Sequence, residues 1–189
     1  MATSFFDLDF IIEINQQRLE QYNTSLQKVL ERLTNIILIY SALGIFLVSI
    51  IQDMFGDEIH HFIFYVGFFI FSIFLIFSLV YFIKLLLPVE IAYLDPPHKY
   101  YQDFMIEMQE KYPGDDKKVD NSLKGSYILE LENAISVNFS VFRRKSSFYY
   151  NALLFALLAV IPYITCVAFH LSKKDDKIQK VQLINPKKS

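Results

Sequence analysis

Three stretches of this chain carry almost no charge, and each is long enough to cross a lipid bilayer. Leu33–Ile51 and Phe62–Ile83 contain no Asp, Glu, Lys or Arg, and Ser146–Ser172 adds only His170. A helix rising about 1.5 Å per residue needs roughly 18–20 apolar residues to traverse the hydrocarbon core. Only 189 residues are available, 53 % of them hydrophobic. A soluble fold would have to bury three helices that are apolar all round, and a chain of this size has no core large enough. The sequence therefore predicts an all-α integral membrane helical bundle. Its organisation divides at 1–32 (a charged N-terminal helix), 33–87 (a transmembrane hairpin), 88–145 (a cytoplasmic helical segment), 146–172 (a third span) and 173–189 (a basic tail).

Charge around the spans predicts their orientation, because Lys and Arg concentrate on the cytoplasmic side. The first loop, "QDMFGDEIHH", holds Asp53, Asp57 and Glu58 and no Lys or Arg, whereas nine Lys and Arg lie between Lys84 and Lys145. The N-terminus and the middle segment are expected inside and the acidic hairpin outside. No secretory leader is recognisable before the first run, which reads as an uncleaved anchor. Arg143, Arg144 and Lys145 form a cationic clamp at the point where a helix enters lipid. The tail after Ser172 has six lysines and disagrees: it would lie outside if all three runs span. Pro162 offers a kink that would keep the third run from crossing.

Periodicity adds self-association. Ile12, Leu19, Leu26 and Leu33 recur at steps of seven, with Asn15, Tyr22, Val29 and Ile36 as the partner row. Such heptads pack helices along a shared seam, and a polar residue such as Asn15 fixes register. The pattern predicts a parallel homo-oligomer whose stalk continues into the membrane; an amphipathic helix packing on its own chain is the alternative. Pro88, Pro96 and Pro97 predict an extended elbow, followed by a helix carrying Tyr101, Phe104, Met105, Met108 and Tyr112. "YPGDD" predicts a turn, and Asp120–Ser122 the cap of a long helix with Ile128, Leu131, Ile135, Asn138 or Phe139, and Phe142 on its buried face. That helix is expected to pass unbroken from water into lipid. On the second span, bulky phenylalanines all round predict a lipid-facing helix. On the third, Ala152, Ala156, Ala159, Tyr163, Cys166 and His170 form a small-residue stripe suited to close helix packing.

Catalytic chemistry has little foothold. With 4 histidines in no metal-ligand spacing, 5 glycines and no phosphate loop, the chain offers no cofactor site and no acid, base or nucleophile constellation. The single Cys166 excludes an intrachain disulfide, and a net charge of −2 argues against general nucleic-acid binding. The remaining chemistry is a conduction path. Asn35, Ala42, Ser49 and Gln52 form a small or polar stripe on the first span, beside an apolar seam that includes Tyr40, Leu43 and Leu47. In a parallel oligomer the seam would be a dewetted gate, and Asp53, Asp57 and Glu58 would ring the pore mouth. Lys117, Lys118, Lys124, Arg143, Arg144 and Lys145 are the cations available to an anionic ligand, although a solvated mixed-charge surface also accounts for them.

The helical N-terminus, the hairpin "SIIQDMFGDEIHHFIF", the elbow "YLDPPHKYYQDF" and the long helix ending in "FRRKSSFYYNALLFALL" together resemble small bacterial membrane effectors of antiviral defence, the SLATT-type and Hailong-system membrane effectors. The resemblance is one of layout across most of the chain, and the third apolar run departs from the two-span plan. It implies a channel-like effector that depolarises the infected cell under a nucleotide signal, paired with the nucleotidyltransferase that makes it. A non-conducting anchor for a cytoplasmic partner is the competing expectation.

Overall fold

The computed structural model describes residues 7–55 and 62–184, with side chains described through Ser172. It is all-helical among those residues: α1 (Leu8–Glu31), α2 (Leu33–Met54), α3 (Phe62–Leu86), α4 (Met105–Lys111, entered through a π-helical turn over Lys99–Phe104) and α5 (Asp116–Ile184). Three of these helices have segments long and apolar enough to cross a membrane. The chain divides into two compact units, an apolar one of residues 31–87 with 147–189 and a charged one of residues 1–30 with 88–146.

In the apolar unit each helix buries a row spaced by seven. Ile36, Leu43 and Ile50 do so on α2, Phe64, Phe71, Ser78 and Leu85 on α3, and Ala152, Ala159 and Cys166 on α5. Steps of seven keep one face of a helix toward its neighbours when the helices cross at a shallow angle. The expected small-residue stripe of the third span is thus spent inside the chain, where Ala152, Ala156 and Ala159 let backbones approach. Gly67 does the same from α3: a Cβ there would meet Cys166 Sγ at 3.4 Å and the Pro162 carbonyl oxygen at 3.8 Å. The outer faces stay apolar and exposed, including Ile45, Phe69, Phe77, Leu154, Leu157 and Ile161. A water-facing surface of this kind would be a contiguous aggregation patch; hydrocarbon accepts it. α3 is therefore lipid-facing on one side only, a correction to the bulky-all-round expectation.

Contacts at both ends show how far the third run extends. Phe148 and Phe155 pack on Tyr81 near the end of α3, while Phe169 meets Phe64 near its start and His170 meets Asp53 at the end of α2. The third run covers the full length of the hairpin, parallel to α2 and antiparallel to α3. Pro162 lies inside α5 without ending it; neighbouring helices support the interruption that proline makes in the hydrogen-bond ladder.

The charged unit is built around α1 and the first part of α5, which run in the same direction: Asp9 meets Lys124, and Asn23 meets Asn138. The long helix starts earlier than expected. Asp115, not Asp120–Ser122, supplies the cap, its Oδ1 accepting the Lys118 N–H at 3.1 Å. Gly114 makes the preceding turn with φ of 79°, a value that glycine alone adopts freely. The buried face includes the expected Leu131 and Asn138, with Ile128, Ile135 and Phe142 half-buried beside it. Leu131, Ala134, Asn138 and Val141 are buried, whereas Phe139 lies on the rim, its ring 5.3 Å from Tyr22. Ala134 and Asn138 are small enough for the flanking segments to come close, and the aromatic residues close over the edge.

The seam on α1 is likewise occupied within the chain. Asn15 and Val29 of the partner row are buried, and Ile12, Leu19 and Leu26 are half-buried. α1 thus packs this row partly against its own chain, leaving Ile12, Leu19 and Leu26 half-exposed.

Candidate functional site

Segment 88–96 is neither helix nor strand, and such backbone needs partners for its polar groups. Asn138, 2 % exposed, supplies them. Its Oδ1 accepts the Ala92 N–H at 2.8 Å, and its Nδ2 donates to the Ala92 carbonyl and to Asn23 Oδ1, both at 3.2 Å. One amide thereby fixes the elbow to α5 and α1. Three residues on, the Asp95 N–H donates to the Glu130 carboxylate. Pro96 and Pro97 then turn the chain, and the π-helical turn presents two consecutive tyrosines.

These elements line an open cavity of about 560 Å³ bordered by Ile12, Leu94, Asp95, Pro96, Pro97, Tyr100, Tyr101, Leu123, Lys124 and Tyr127. Its size and largely apolar, aromatic wall suit a small organic ligand. Tyr100 stands edge-on to Tyr127 with ring centroids 5.2 Å apart, and the Tyr127 hydroxyl accepts a 2.9 Å bond from Gln16 Nε2. The Tyr100 hydroxyl is enclosed and has no hydrogen-bond partner.

The electrostatics of this wall are acidic. Lys124 Nζ lies 2.9 Å from an Asp9 oxygen and 3.0 Å from an Asp120 oxygen; these two bonds hold its ammonium above the ordinary lysine range. Lys99 pairs with Asp95, and that bond, with the charges of Glu130 and Asp103, raises it too. Each lysine here is outnumbered by carboxylates.

The sequence-predicted cations do not form one site. Lys117 and Lys118 open α5, where Lys118 pairs with Asp115 at 3.0 Å. Lys124 turns into the cavity wall. Arg143 and Arg144 lie roughly 28 Å farther along the helix by its rise per residue; they are exposed, whereas Lys145 is buried. Three consecutive residues on a helix point about 100° apart, so a cluster in sequence is no cluster in space. Lys145 is removed from the candidate ligand set on that ground.

The predicted gate is also divided. Leu43 is buried in the bundle among Ile50, Phe64, Phe71, Ala159, Tyr163 and Cys166, with Leu47 packed at its edge. The Tyr40 hydroxyl sits 2.7 Å from Ser78 Oγ, which donates at 2.7 Å to the Ala152 carbonyl. An axial seam of Tyr40, Leu43 and Leu47 is thus not what these residues make: they hold the chain's own helices together. Asn35, Ala42 and Gln52 are exposed and Ser49 half-buried, on a face that the chain leaves uncovered. Asp53 Oδ2 lies 2.6 Å from His170 Nδ1, while Asp57 and Glu58 lie outside the described residues. A further bond closes the same bundle: the Tyr163 hydroxyl lies 3.4 Å from the Ala42 carbonyl and 3.3 Å from the Phe46 N–H.

Gly67 and the cavity were not singled out from the sequence, which marks Asn138 only as a residue of the buried face, without its polar role. "DPP" followed by "KYY" is the one local signal of the cavity, a proline-forced bend delivering aromatics to one place. No protein-family model, curated protein or solved structure matches the chain.

Proposed function

We propose that the protein is a ligand-controlled membrane effector: several copies of the apolar unit form an ion path, and occupancy of the cavity in the charged unit controls it. The observation that carries this reading is that one unbroken helix serves both units. α5 supplies Leu123, Lys124 and Tyr127 to the cavity and Ala152 to His170 to the bundle. A ligand that favours one placement of those cavity residues acts directly on a membrane-spanning element, which is the differential interaction that any ligand-driven shift requires.

Within one copy the bundle interior is filled by Leu43, Ile50, Phe64, Phe71 and Tyr163, so conduction belongs between copies. The uncovered face of α2 bearing Asn35, Ala42, Ser49 and Gln52 is the surface for it, because polar groups in hydrocarbon favour protein partners over lipid. In this reading the hairpin and its acidic residues face outward from a bacterial inner membrane. Membrane depolarisation during antiviral defence is the role that the resemblance implies, and a nucleotide is the trigger it suggests. The filled interior also favours a second reading, a non-conducting anchor that displays the charged unit to a partner protein.

Conductance of purified protein in planar bilayers separates the two. The expected result is stepwise current that Asn35→Leu together with Ser49→Leu abolishes. Silence from protein shown to be folded and inserted would leave the anchor.

A further inference from the structure

The cavity's wall specifies a ligand class that the lysine count obscures. Asp95 lines it directly; Asp9 and Asp120 reach it through Lys124, and Glu130 and Asp103 surround Lys99 beside it. Five carboxylates against two lysines leave the neighbourhood negative, and both lysines are already paired. A phosphate entering here would have to displace Asp9 or Asp120 from Lys124 and would then face the carboxylates it displaced. The opposite charge meets no such obstacle. Tyr100, Tyr101 and Tyr127 contribute π-faces, which attract cations when they converge on a partly desolvated site. Leu94, Leu123 and the two prolines cover an apolar body.

From this we infer that the cavity binds an organic cation with a planar or branched apolar body and not an anionic nucleotide, so that the nucleotide trigger suggested by the resemblance would have to act elsewhere on the chain. The inference deepens the ligand-controlled reading and rests on it for its consequence, yet binding alone tests it. A cation that binds while the membrane stays silent would sink the effector reading and leave this one standing.

The test uses the full chain in detergent, titrated calorimetrically with N-methylquinolinium, with neutral quinoline of nearly the same shape, and with AMP. The expected order is N-methylquinolinium tighter than quinoline by about tenfold, the scale of a desolvated cation–π site, with AMP showing no saturable binding. Tyr101 is exposed at 56 %, so Tyr101→Ala should weaken the cation at least about fivefold while the fold survives, and Tyr101→Phe should restore it. Equal affinity for the charged and neutral probes would overturn the inference. So would AMP binding more tightly than the cation, or a Tyr101→Ala chain that binds as well as the parent.

Discussion

The two units of this chain solve the same packing problem in different solvents. Both bury residues at steps of seven, but the charged unit buries Leu131 and Val141 out of water, whereas the apolar unit buries Leu43 and Ile50 out of lipid. In the first case the hydrophobic effect drives closure. In the second, hydrocarbon is as apolar as leucine, and close packing with a few hydrogen bonds must suffice. The polar devices differ accordingly. Asn138 satisfies a segment of irregular backbone, while Ser78, Tyr40 and Tyr163 tie regular helices to one another. A buried polar residue in the charged unit is thus a condition for the local fold, and in the apolar unit an adjustment to it.

Paired truncations test this most strongly. Leu131→Ala should cost about 2–5 kcal/mol, the sum of a lost transfer term and a cavity. Leu43→Ala should cost clearly less, because lipid removes the transfer term and leaves only the cavity. Steric trapping or reversible denaturation in bicelles measures both; equal losses would erase the distinction between the solvents. Next comes Asn138→Ala, expected to cost about 1–3 kcal/mol by leaving the Ala92 N–H and carbonyl unpartnered in a buried place. Hydrogen exchange would show it as faster exchange at Ala92 with the bundle amides unchanged.

Ser78→Ala should matter less, about 0.6 kcal/mol and at most roughly 1.7, the range of hydrogen bonds between spanning helices. A loss as large as that of Asn138→Ala would mean that the bundle depends on polar contacts as heavily as the charged unit does. The smallest effect is one of pH. Carboxylate partners hold Lys124 and Lys99 above the ordinary lysine range, so their contribution is fully present below that range. It is lost as pH rises through the higher folded value. Both pairs are solvent-screened, so the alkaline loss should be slight, confined to the charged unit, and reduced in Lys124→Gln.

How much of this could be read beforehand follows the same division. The three apolar runs were legible, because a lack of charge over twenty residues has few other meanings, and the face Ala152–Ala159–Cys166 stood out by residue size. The row Phe64–Phe71–Ser78–Leu85 did not, since an inner phenylalanine and a lipid-facing one look alike when the whole helix is apolar. In the charged unit the heptad was visible but its partner was not: the same spacing serves a second copy or the chain's own α5. The cavity was hidden because its wall combines residues 12, 94–101 and 123–127, and no local pattern joins them. The pairing of Lys124 was hidden for a related reason, as Asp9 is far from it in sequence and beside it in space.

The Asp53–His170 contact has a consequence for how this protein enters its membrane. By joining the end of α2 to the end of the third apolar run, it puts Asp53 and His170 at one end of the bundle; in the three-span reading proposed above, the lysines after Ser172 leave the bilayer on the side where α2 ends. The charge rule sends the hairpin out and would keep those lysines in. In that reading one chain carries two opposed address labels, nine Lys and Arg from Lys84 to Lys145 against six lysines after Ser172. Insertion in that reading takes six lysines across an insulating layer, and neutralising them should raise the yield of correctly inserted protein.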